Sequence, residues 1–481
     1  MARADRGGEL MAPAATNLPA ELRGAVLLAG AGVSGRGAAR LLARLGADVT
    51  VADDNPDNRD NVAAETGAAT LSTAEAAAAL DSFGIVVTSP GWRPDTPLLT
   101  AAVDAGLEVI GDVELCFRLD RAGVFGAPRT WLAVTGTNGK TTTTGMLAAM
   151  MQQAGRDTGR RAAACGNIGV AVSDAIVDPE RVDVLVAELS SFQLHWSSHL
   201  VPDAGALLNL AEDHIDWHGS FAAYGADKTK VLRAATAVAG TDDEEVARLV
   251  AATGRGDIVG FTLAEPADNQ VGVSGGRIVA RLGGETTDLA SAEGIEPAGA
   301  AGVYDALAAA AVAFSQGARP HHIQAALDGY RVAGHRGAVV HSAGGVDWVD
   351  NSKATNPHAA HSALLGAGPV VWVAGGQLKG ADVTDLVREH AGQFRAVALL
   401  GADRDILRAA CERHAPDVPL FVTDSADPVT AMDEAVAFAA RHAQPGEKVL
   451  LAPAAASLDM YSGMAERGDI FAAAAARHAR G

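Results

Sequence analysis

One short segment, residues 131–142, constrains the fold and the chemistry of this chain more than any other. An apolar run from Trp131 to Val134 predicts a buried strand that leads into the loop Thr135-Gly136-Thr137-Asn138-Gly139. Lys140, Thr141 and Thr142 then open a predicted helix. In such a unit the backbone N–H groups and the helix N-terminus bind phosphate, the lysine adds positive charge and the hydroxyl reaches Mg²⁺. The segment therefore predicts a nucleoside triphosphate site, in a form shorter than the general phosphate-loop pattern.

Length and composition limit the classes of protein to which the chain can belong. Its 481 residues are too many for one core and predict two to four domains. A formal net charge of −20 argues against nucleic acid or an anionic membrane as a partner. The three cysteines are scattered, which favours a reduced compartment over a disulfide framework or a zinc site. No apolar run is long enough to span a bilayer, so we expect a cytoplasmic protein without membrane insertion.

Predicted strands and helices alternate along the whole chain, which is typical of an α/β protein with mainly parallel sheets. Residues 1–20 carry charges and prolines without an apolar run, so we predict a disordered N-terminal tail. Three domains are expected after it, at residues 21–127, 128–332 and 333–481. Within the second, the glycine-rich polar stretch 264–302 predicts short strands and turns.

A second glycine loop lies near the N-terminus. The sequence Gly30-Ala31-Gly32-Val33-Ser34-Gly35 follows an apolar strand and opens a helix, and the next predicted strand ends at Asp53. This is nearly the fingerprint of a dinucleotide site, and alone it favours an NAD-dependent oxidoreductase. It also fits any phosphate-bearing nucleotide at a strand–helix turn. The loop Ser89-Pro90-Gly91 follows another strand, so we expect it at the same sheet edge.

Acidic and histidine side chains follow two further predicted strands. Glu188 ends the apolar run Val182–Ala187, where a carboxylate is well placed to bind Mg²⁺. A strand at 206–210 runs into Glu212-Asp213-His214-Ile215-Asp216-Trp217-His218. Two aspartates flanking His214 directly after a strand favour a metal or substrate site over a plain surface loop.

The three motifs around Lys140, Glu188 and His214, taken together, resemble those of the Mur ligases, ATP-dependent amide-forming enzymes that build the peptide stem of peptidoglycan. The resemblance extends from about residue 24 to the C-terminus. Downstream, Gly334-His335-Arg336, the run Asp350–Pro357 and the run Pro453–Asp459 are similar to motifs of the D-glutamate-adding members. It implies a Rossmann-like N-terminal domain for a UDP moiety, a central P-loop-type ATPase domain and a Rossmann-like C-terminal domain for the amino acid.

The resemblance also implies a reaction and a set of partners. D-Glutamate would be added to UDP-N-acetylmuramoyl-L-alanine through an acyl phosphate, with ATP and two Mg²⁺ ions, in a cytoplasmic step of peptidoglycan synthesis. A Tyr-x-x-x-Lys pattern points to Lys228, rather than Lys230, as a lysine carbamylated by CO₂. We expect a monomer.

The resemblance assigns site residues as follows. The residues expected to act in catalysis are Lys140, His214, Lys228 and Lys353. Those expected to bind ATP are Gly136, Thr137, Asn138, Gly139, Lys140, Thr141, Thr142, Asp305 and Arg336. Those expected to bind metal are Thr141, Glu188, His214 and the Lys228 carbamate. Those expected to bind the UDP substrate are Gly30, Gly32, Val33, Ser34, Gly35, Asp53, Ser89, Pro90, Gly91, Asn167, Ser190 and Gln193. Those expected to bind D-glutamate are His214, Thr355, Lys379, Ser457, Leu458 and Met464.

The chain departs from the family pattern at three places. The family usually has an acid directly before Ser-Lys, whereas here Asp350 precedes Asn351, and either residue remains a candidate for that role. Asp305 stands where an adenine-binding asparagine is usual, and Met464 stands where a phenylalanine is usual.

Rival interpretations remain inside and outside the family. A ligase adding diaminopimelate or lysine, or a folylpolyglutamate synthase, is disfavoured by the run Ser352-Lys353-Ala354-Thr355-Asn356. An NAD-dependent oxidoreductase leaves the Lys140 loop unexplained. A nucleotide-dependent switch or scaffold would bind ATP without substrate-stimulated phosphate release.

Overall fold

The computed structural model describes residues 18–332, 334–365 and 367–479. Their contacts form two compact units. The first comprises residues up to Gly136 together with Thr143–Gly260 and Ala308–His322, and the second comprises Thr137–Thr142, Phe261–Leu307 and the chain from Ile323 onward. Among the described helices, none is both long and apolar enough to cross a membrane.

The N-terminal part of the first unit alternates five strands with five helices. In chain order they are β1 (Val26–Ala29), α1 (Val33–Arg44), β2 (Val49–Ala52), α2 (Pro56–Thr66), β3 (Ala69–Leu71), α3 (Thr73–Ala78), β4 (Ile85–Thr88), α4 (Pro97–Asp104), β5 (Glu108–Gly111) and α5 (Asp112–Arg121). The strands are parallel in the order β3-β2-β1-β4-β5. The order changes direction at β1, so the loops after β1 and β4 flank the crevice where such sheets bind ligands.

The middle segment begins with a second parallel sheet. Its elements are β6 (Thr130–Thr135), α6 (Lys140–Thr158), β7 (Ala162–Gly166), α7 (Val172–Ile176), β8 (Val184–Glu188), α8 (Ser191–His195), β9 (Ala204–Leu207), α9 (Ile215–His218), α10 (Phe221–Thr229), β10 (Thr236–Gly240) and α11 (Glu244–Ala252). Within the first unit its strands run β10-β9-β6-β8-β7, all parallel. Strand β6 is central, so the loop that follows it emerges in the middle of the carboxyl edge.

Short strands and two helices complete the middle segment: β11 (Val259–Phe261), β12 (Gln270–Ser274), β13 (Arg277–Leu282), β14 (Glu285–Ser291), α12 (Ala300–Ser315) and α13 (Pro320–Gly329). Strands β12, β13 and β14 form an antiparallel meander. The glycine pairs Gly275-Gly276 and Gly283-Gly284 have positive φ, as tight connections between these strands require.

The C-terminal segment lies in the second unit. Its elements are β15 (Ala338–Ala343), β16 (Val346–Asp350), α14 (Pro357–Leu364), β17 (Val370–Gly375), α15 (Thr384–His390), β18 (Phe394–Leu400), α16 (Arg404–His414), β19 (Leu420–Val422), α17 (Pro428–His442), β20 (Lys448–Leu451) and α18 (Met464–His478). The sheet order is β15-β16-β20-β17-β18-β19, and only the β15–β16 pair is antiparallel.

Strand burial explains why many predicted site residues lie at the ends of strands or just after them. Strands β1, β4, β8, β9 and β17 are buried along their whole length. Continuous apolar strands of this kind are typical of parallel sheets covered on both faces. Polar side chains are therefore concentrated where the strands end, at the carboxyl edges of the sheets.

The α/β prediction is confirmed, and the short strands expected between residues 264 and 302 are β12, β13 and β14. The predicted tail lies outside the described residues as far as residue 17. For residues 18–20, the end of the predicted tail, the prediction of disorder is wrong. Leu18 is buried in the hydrophobic core, and Ala20 opens a 3₁₀ turn. An apolar side chain at position 18 has a core to enter, so the ordered chain starts before residue 21.

Candidate active site

The phosphate loop connects the end of β6 with the start of α6. Lys140 Nζ donates a hydrogen bond of 2.8 Å to the carbonyl oxygen of Thr137, so this side chain is folded against its own loop. Gly139 has a φ of +78°, and a Cβ built on it would lie 2.2 Å from Asp305 Oδ1. The left-handed backbone favours glycine at 139, and any side chain there would displace the Asp305 carboxylate. The structure thus brings together Asp305 and the loop, two parts of the predicted ATP site.

Lys228 lies on α10 and is almost fully buried, with 2% of its surface exposed. Its Nζ donates to the carbonyl oxygen of Gly136 at 2.7 Å and to Thr135 Oγ1 at 3.3 Å. The ammonium also lies 4.9 Å from the centroid of the Tyr224 ring. A buried lysine is costly unless its charge is compensated, so this placement at the start of the phosphate loop favours a functional role.

Lys230, the alternative to Lys228, is engaged elsewhere. Its Nζ donates to the carbonyl oxygens of Leu194 and His195 at 2.8 and 2.9 Å, at the C-terminal end of α8. It also pairs with Asp227 at 3.0 Å. A cation on the last carbonyl groups of a helix stabilises that helix end, which explains the position of Lys230 without any role in chemistry.

Glu188 ends strand β8 and is buried, with 2% of its surface exposed. Its Oε1 accepts a hydrogen bond of 3.0 Å from Asn167 Nδ2, and the backbone N–H of Asn167 donates to the Glu188 carbonyl oxygen at 2.9 Å. The structure therefore pairs a predicted metal ligand with a predicted UDP-substrate residue. A buried carboxylate at a strand end suits Mg²⁺, which prefers hard oxygen ligands.

His214 is held in a left-handed backbone conformation, with φ of +54°, directly before α9. Its side chain is 48% exposed and lies 3.6 Å from the Asp213 carboxylate. The Phe192 ring packs against it with centroids 4.7 Å apart. A non-glycine residue with positive φ is uncommon and often marks a functional position, so the conformation supports the predicted importance of His214.

The turn after His214 contacts the loop that follows β4. Arg93 Nη1 donates to the carbonyl oxygen of Asp216 at 2.7 Å, and Trp217 Nε1 donates to that of Gly91 at 3.4 Å. Two segments predicted separately, one for metal and one for the UDP substrate, therefore lie side by side in the first unit.

Asp227 is the centre of a buried polar cluster that the sequence analysis missed. Its Oδ2 accepts from His195 Nδ1 at 2.8 Å and from His218 Nδ1 at 3.1 Å, while His218 Nε2 lies 2.9 Å from Ser191 Oγ. Burial alone would raise the pKa of Asp227, but hydrogen bonds from the two histidines and the charge of Lys230 outweigh it and hold that pKa well below its usual range. The cluster ties α8, which follows Glu188, to α10, which carries Lys228.

The glycine loop after β1 packs closely against the residues that follow β2 and β4. The backbone N–H of Ala31 donates to Asp53 Oδ2 at 2.8 Å, and Ser89 Oγ donates to the carbonyl oxygen of Gly30 at 3.4 Å. A Cβ on Gly35 would lie 1.9 Å from that same oxygen. The predicted residues Gly30, Gly35, Asp53 and Ser89 therefore lie together.

A cavity of about 640 Å³ opens beside this loop. Its lining includes Asp53 and Gly91, which were predicted, and Trp92 and Arg93, which were not. Arg93 also pairs with Asp95 at 3.0 Å. An aromatic ring and an arginine suit a nucleobase and a phosphate respectively. Their position directly after Ser89-Pro90-Gly91 was the signal in the sequence that could have identified them.

Ser190 and Gln193 form a capping box at the start of α8. Ser190 Oγ accepts from the Gln193 N–H at 3.2 Å, and Gln193 Oε1 accepts from the Ser190 N–H at 3.0 Å. In this structure both predicted UDP-substrate side chains are thus used to start a helix.

Two loops of the C-terminal segment pair with each other. Gln377 and Ala456 exchange backbone hydrogen bonds of 2.9 and 2.8 Å, which brings the loop carrying Lys379 beside the loop carrying Ser457. Lys379 is exposed and has a φ of +54°. Ser457 is buried, whereas Leu458 is 67% exposed and Met464 is half-buried at the start of α18. Four residues predicted for D-glutamate therefore lie on two neighbouring segments.

Arg467 is a fully buried arginine behind these loops, and the sequence analysis did not select it. Its guanidinium donates to Ser352 Oγ at 2.9 Å and to the carbonyl oxygens of Ser352, Gly375 and Ala455 at 2.8, 3.2 and 3.1 Å. Burial lowers its pKa to about 10, so the side chain stays a cation at neutral pH. One side chain therefore holds three of the predicted segments together.

Asp350, rather than Asn351, is the buried acid of its motif. His335 Nδ1 lies 2.6 Å from Asp350 Oδ2, and the Ser352 N–H donates to Asp350 Oδ1 at 2.9 Å. The Lys353 N–H donates to the carbonyl oxygen of His335 at 3.0 Å. This bond joins the segment that carries Arg336 to the segment that carries Lys353.

Tyr330 interacts electrostatically with two predicted ATP residues, Asp305 and Arg336. Burial raises its pKa to about 12, the negative charge of Asp305 adds to that rise, and the positive charge of Arg336 opposes it. Asp305 and Arg336, both predicted for ATP, therefore act electrostatically on one half-buried phenol within the second unit.

The fold and these sites define an ATP-dependent, amide-forming ligase. The chain belongs to the Mur ligase family. Three family models match it: the Mur ligase MurD-like N-terminal domain at residues 24–111, the Mur ligase middle domain at 134–313, and the Mur ligase glutamate ligase domain at 335–455. These matches confirm the three predicted domain types.

Relatives of high identity agree with the family, and a solved structure shares the fold. The UDP-N-acetylmuramoylalanine--D-glutamate ligase of Corynebacterium diphtheriae is 58% identical over 463 residues, covering 95% of this chain and 97% of the relative. The ligase of the same name from Corynebacterium efficiens is also 58% identical, covering 95% and 96%. A pseudomurein peptide ligase type C from Methanothermus fervidus is 16% identical with a TM-score of 0.54, covering 89% of this chain and 96% of that one. This last likeness concerns the fold alone.

Proposed function

We propose that this protein joins D-glutamate to UDP-N-acetylmuramoyl-L-alanine at the expense of ATP, a cytoplasmic step of peptidoglycan synthesis. The observation that carries the proposal is the 58% identity, over nearly the full length of both chains, to ligases named for this reaction. The geometry of the phosphate loop and of the glycine loop after β1 supports it.

The reaction would proceed in two steps. A carboxylate oxygen of the alanine attacks the γ-phosphorus of ATP, and the bond between this phosphorus and the β-phosphate oxygen breaks. ADP departs, and the alanine carboxylate is converted to an acyl phosphate. The amine of D-glutamate then attacks the acyl carbon and loses a proton, and the carbon–oxygen bond to phosphate breaks. Both steps concentrate negative charge, so cations and backbone donors contribute more than a nucleophilic side chain would.

For the ATP phosphates we propose the loop residues Gly136, Thr137, Asn138, Gly139, Lys140, Thr141 and Thr142, with Arg336 and Lys353, and for the adenine we propose Asp305. Lys140 supplies the positive charge that a phosphate loop needs. Its bond to Thr137 would be exchanged for a phosphate oxygen on binding.

For two Mg²⁺ ions we propose Thr141, Glu188, His214 and a carbamylated Lys228. Mg²⁺ supplies charge neutralisation for the developing oxyanions. A carbamate would replace the Lys228 cation by anionic oxygens, which suit this ion. The burial of Lys228 and Glu188 supports the fit, because both would then have a partner of opposite charge.

For the substrates we propose two separate regions. The UDP substrate would bind at Gly30, Gly32, Val33, Ser34, Gly35, Asp53, Ser89, Pro90, Gly91, Asn167, Ser190 and Gln193, and to these we add Trp92 and Arg93. D-Glutamate, with two carboxylates, would bind at His214, Thr355, Lys379, Ser457, Leu458 and Met464. We also propose that the enzyme is a cytoplasmic monomer.

Phosphate release from ATP and Mg²⁺ tests the proposal. With UDP-N-acetylmuramoyl-L-alanine present, we expect turnover with D-glutamate and none with L-glutamate, diaminopimelate or no amino acid. Turnover with another amino acid would keep the ligase mechanism and overturn the assignment of Thr355, Lys379 and Ser457. No turnover with any amino acid, combined with tight NAD binding, would instead favour the oxidoreductase.

A further inference from the structure

His358 contacts the phosphate loop, although it belongs to none of the sets assigned above. Its Nδ1 lies 2.7 Å from Asn138 Nδ2, a hydrogen bond between residues 220 positions apart. Both residues belong to the second unit. Asn138 is central in the loop, between Thr137 and Gly139. The contact therefore holds the middle of a loop whose backbone N–H groups bind phosphate in units of this kind.

The position of His358 is fixed by the start of α14. Asn356 is the N-cap of that helix, and its Oδ1 accepts from the Ala359 N–H at 2.8 Å. Pro357 occupies the first helical position, where its fixed φ suits the helix. Ser362 Oγ donates to the carbonyl oxygen of His358 at 3.0 Å, one turn further on. His358 thus projects from a well-capped first turn rather than from a flexible loop.

The same turn follows directly on the segment Ser352–Asn356. That segment carries Lys353 and Thr355, and Ser352 is held by the buried Arg467. A side chain that bonds Asn138 from this turn therefore connects the phosphate loop with the C-terminal loops proposed for D-glutamate.

The chemistry of the pair suits an anchor. If the Asn138 amide donates, His358 Nδ1 accepts and the ring proton lies on Nε2; if the amide is reversed, Nδ1–H donates to Asn138 Oδ1. Either arrangement keeps the Asn138 side chain bonded to α14. The backbone N–H groups on both sides of it are then held in one orientation before the nucleotide arrives, and such preorganisation improves binding.

We propose that His358 is a positioning residue for the phosphates of ATP and acts through Asn138. This inference rests on the proposed ligase function, in which Asn138 belongs to the ATP site. It predicts that loss of the imidazole weakens nucleotide binding and leaves D-glutamate binding unchanged, because the Ser352–Asn356 segment retains its bonds to Arg467.

The test is the affinity of the full-length enzyme for Mg²⁺·ADP, measured by calorimetry without turnover. For His358→Ala we expect the dissociation constant of ADP to rise about fivefold, the usual effect of one net hydrogen bond. The KM for ATP should rise in parallel, and the KM for D-glutamate should stay within about twofold. His358→Gln, which offers an amide in place of the ring nitrogen, should recover most of the affinity.

His361→Gln is the matched control, since His361 lies one turn along the same helix and bonds His390 instead of the loop. It should leave ADP binding unchanged. In a double-mutant cycle, Asn138→Ala with His358→Ala should bind ADP no more weakly than Asn138→Ala alone.

Unchanged ADP affinity in His358→Ala would overturn the proposal. So would equal increases in the KM values of ATP and D-glutamate together with a lowered melting temperature, which would indicate a purely structural role. Failure of the proposed function gives a different result: the wild-type enzyme would then bind ADP but release no phosphate in response to D-glutamate.

Discussion

Lys228 Nζ lies 2.7 Å from the carbonyl oxygen of Gly136, so a buried lysine of α10 is bonded to the first glycine of the phosphate loop. Helix α10 is in turn joined to α8 by Asp227, through its bonds to His195 and His218. Lys228 is therefore held by the loop that it contacts, and its helix is held by the bonds of Asp227, the preceding residue. Such an arrangement fixes the position of the side chain, as the proposed role of Lys228 in the metal site would require.

Replacing Lys228 by alanine should reduce turnover by at least about 100-fold, because the metal site loses an anionic ligand and the loop loses its anchor. Short carboxylates such as acetate should restore part of the activity by occupying the space of the carbamate. Phosphate release at saturating substrates, with and without added carboxylate, measures both effects.

Lys230→Ala is the control for this prediction. Lys230 bonds the end of α8, so its loss should lower the melting temperature while the carboxylate has no effect on turnover. Full activity of Lys228→Ala would exclude the carbamate role.

Arg93→Ala should raise the KM for the UDP substrate about tenfold and leave the KM for ATP unchanged, because Arg93 lines the cavity beside the N-terminal glycine loop. Arg44→Ala provides the comparison, since Arg44 is an exposed arginine at the end of α1 in the same domain. Initial rates at varied UDP substrate would detect the difference. Equal KM values for the two variants would place the UDP moiety elsewhere.

The sequence predicted the loops of the site because their chemistry is local. A glycine loop between a strand and a helix, as at Gly30 or Gly139, places backbone N–H groups by short-range geometry alone. The carboxyl edges of parallel strands then bring such loops together, so Glu188 and the phosphate loop were predictable from strand ends. The domain types were likewise predictable, since the motifs occur in the order that the family requires.

The supporting residues were not predictable from sequence, because their partners are distant in the chain. Arg467 bonds Ser352 across 115 positions, and His358 bonds Asn138 across 220. No periodicity or spacing marks such pairs. Asp227 was missed for a different reason: an acid beside a helix lysine is usually a solvated surface pair, and only the fold shows that two histidines enclose it.

Stability should fall on acidification through the titration of His390, a buried histidine of α15. Burial lowers its pKa and the neighbouring His361 lowers it further, while Glu389 opposes the shift. The folded protein therefore takes up this proton less readily than the unfolded chain. The stabilisation is present above the unfolded pKa of about 6.5 and is lost as pH falls toward the lower folded value.

Chemical denaturation at several values between pH 5 and pH 8 would measure this dependence, and His390→Gln should flatten it relative to the wild type. His361 Nδ1, which lies 2.9 Å from His390 Nε2, and the Glu389 carboxylate face the same group. A variant with the same pH slope as the wild type would show that another group is responsible.

Arg467→Met should impair both stability and the use of D-glutamate. Methionine fills much of the space but leaves the carbonyl oxygens of Ser352, Gly375 and Ala455 without their donor, at a cost of roughly 3 kcal/mol in the free energy of unfolding. The three loops that meet at Arg467 carry Thr355, Lys379 and Ser457 nearby, so their loosening should raise the KM for D-glutamate about tenfold or more. The segment held through Ser352 also carries Lys353, which is proposed for the ATP phosphates, so ADP affinity should fall as well, by a smaller factor than the rise in the KM for D-glutamate. Arg477→Met, on the same helix but in a surface pair with Asp433, should alter unfolding by less than about 1 kcal/mol and leave both substrates unaffected. An Arg467→Met enzyme that is destabilised yet keeps the wild-type KM for D-glutamate would separate the two roles and limit Arg467 to the core.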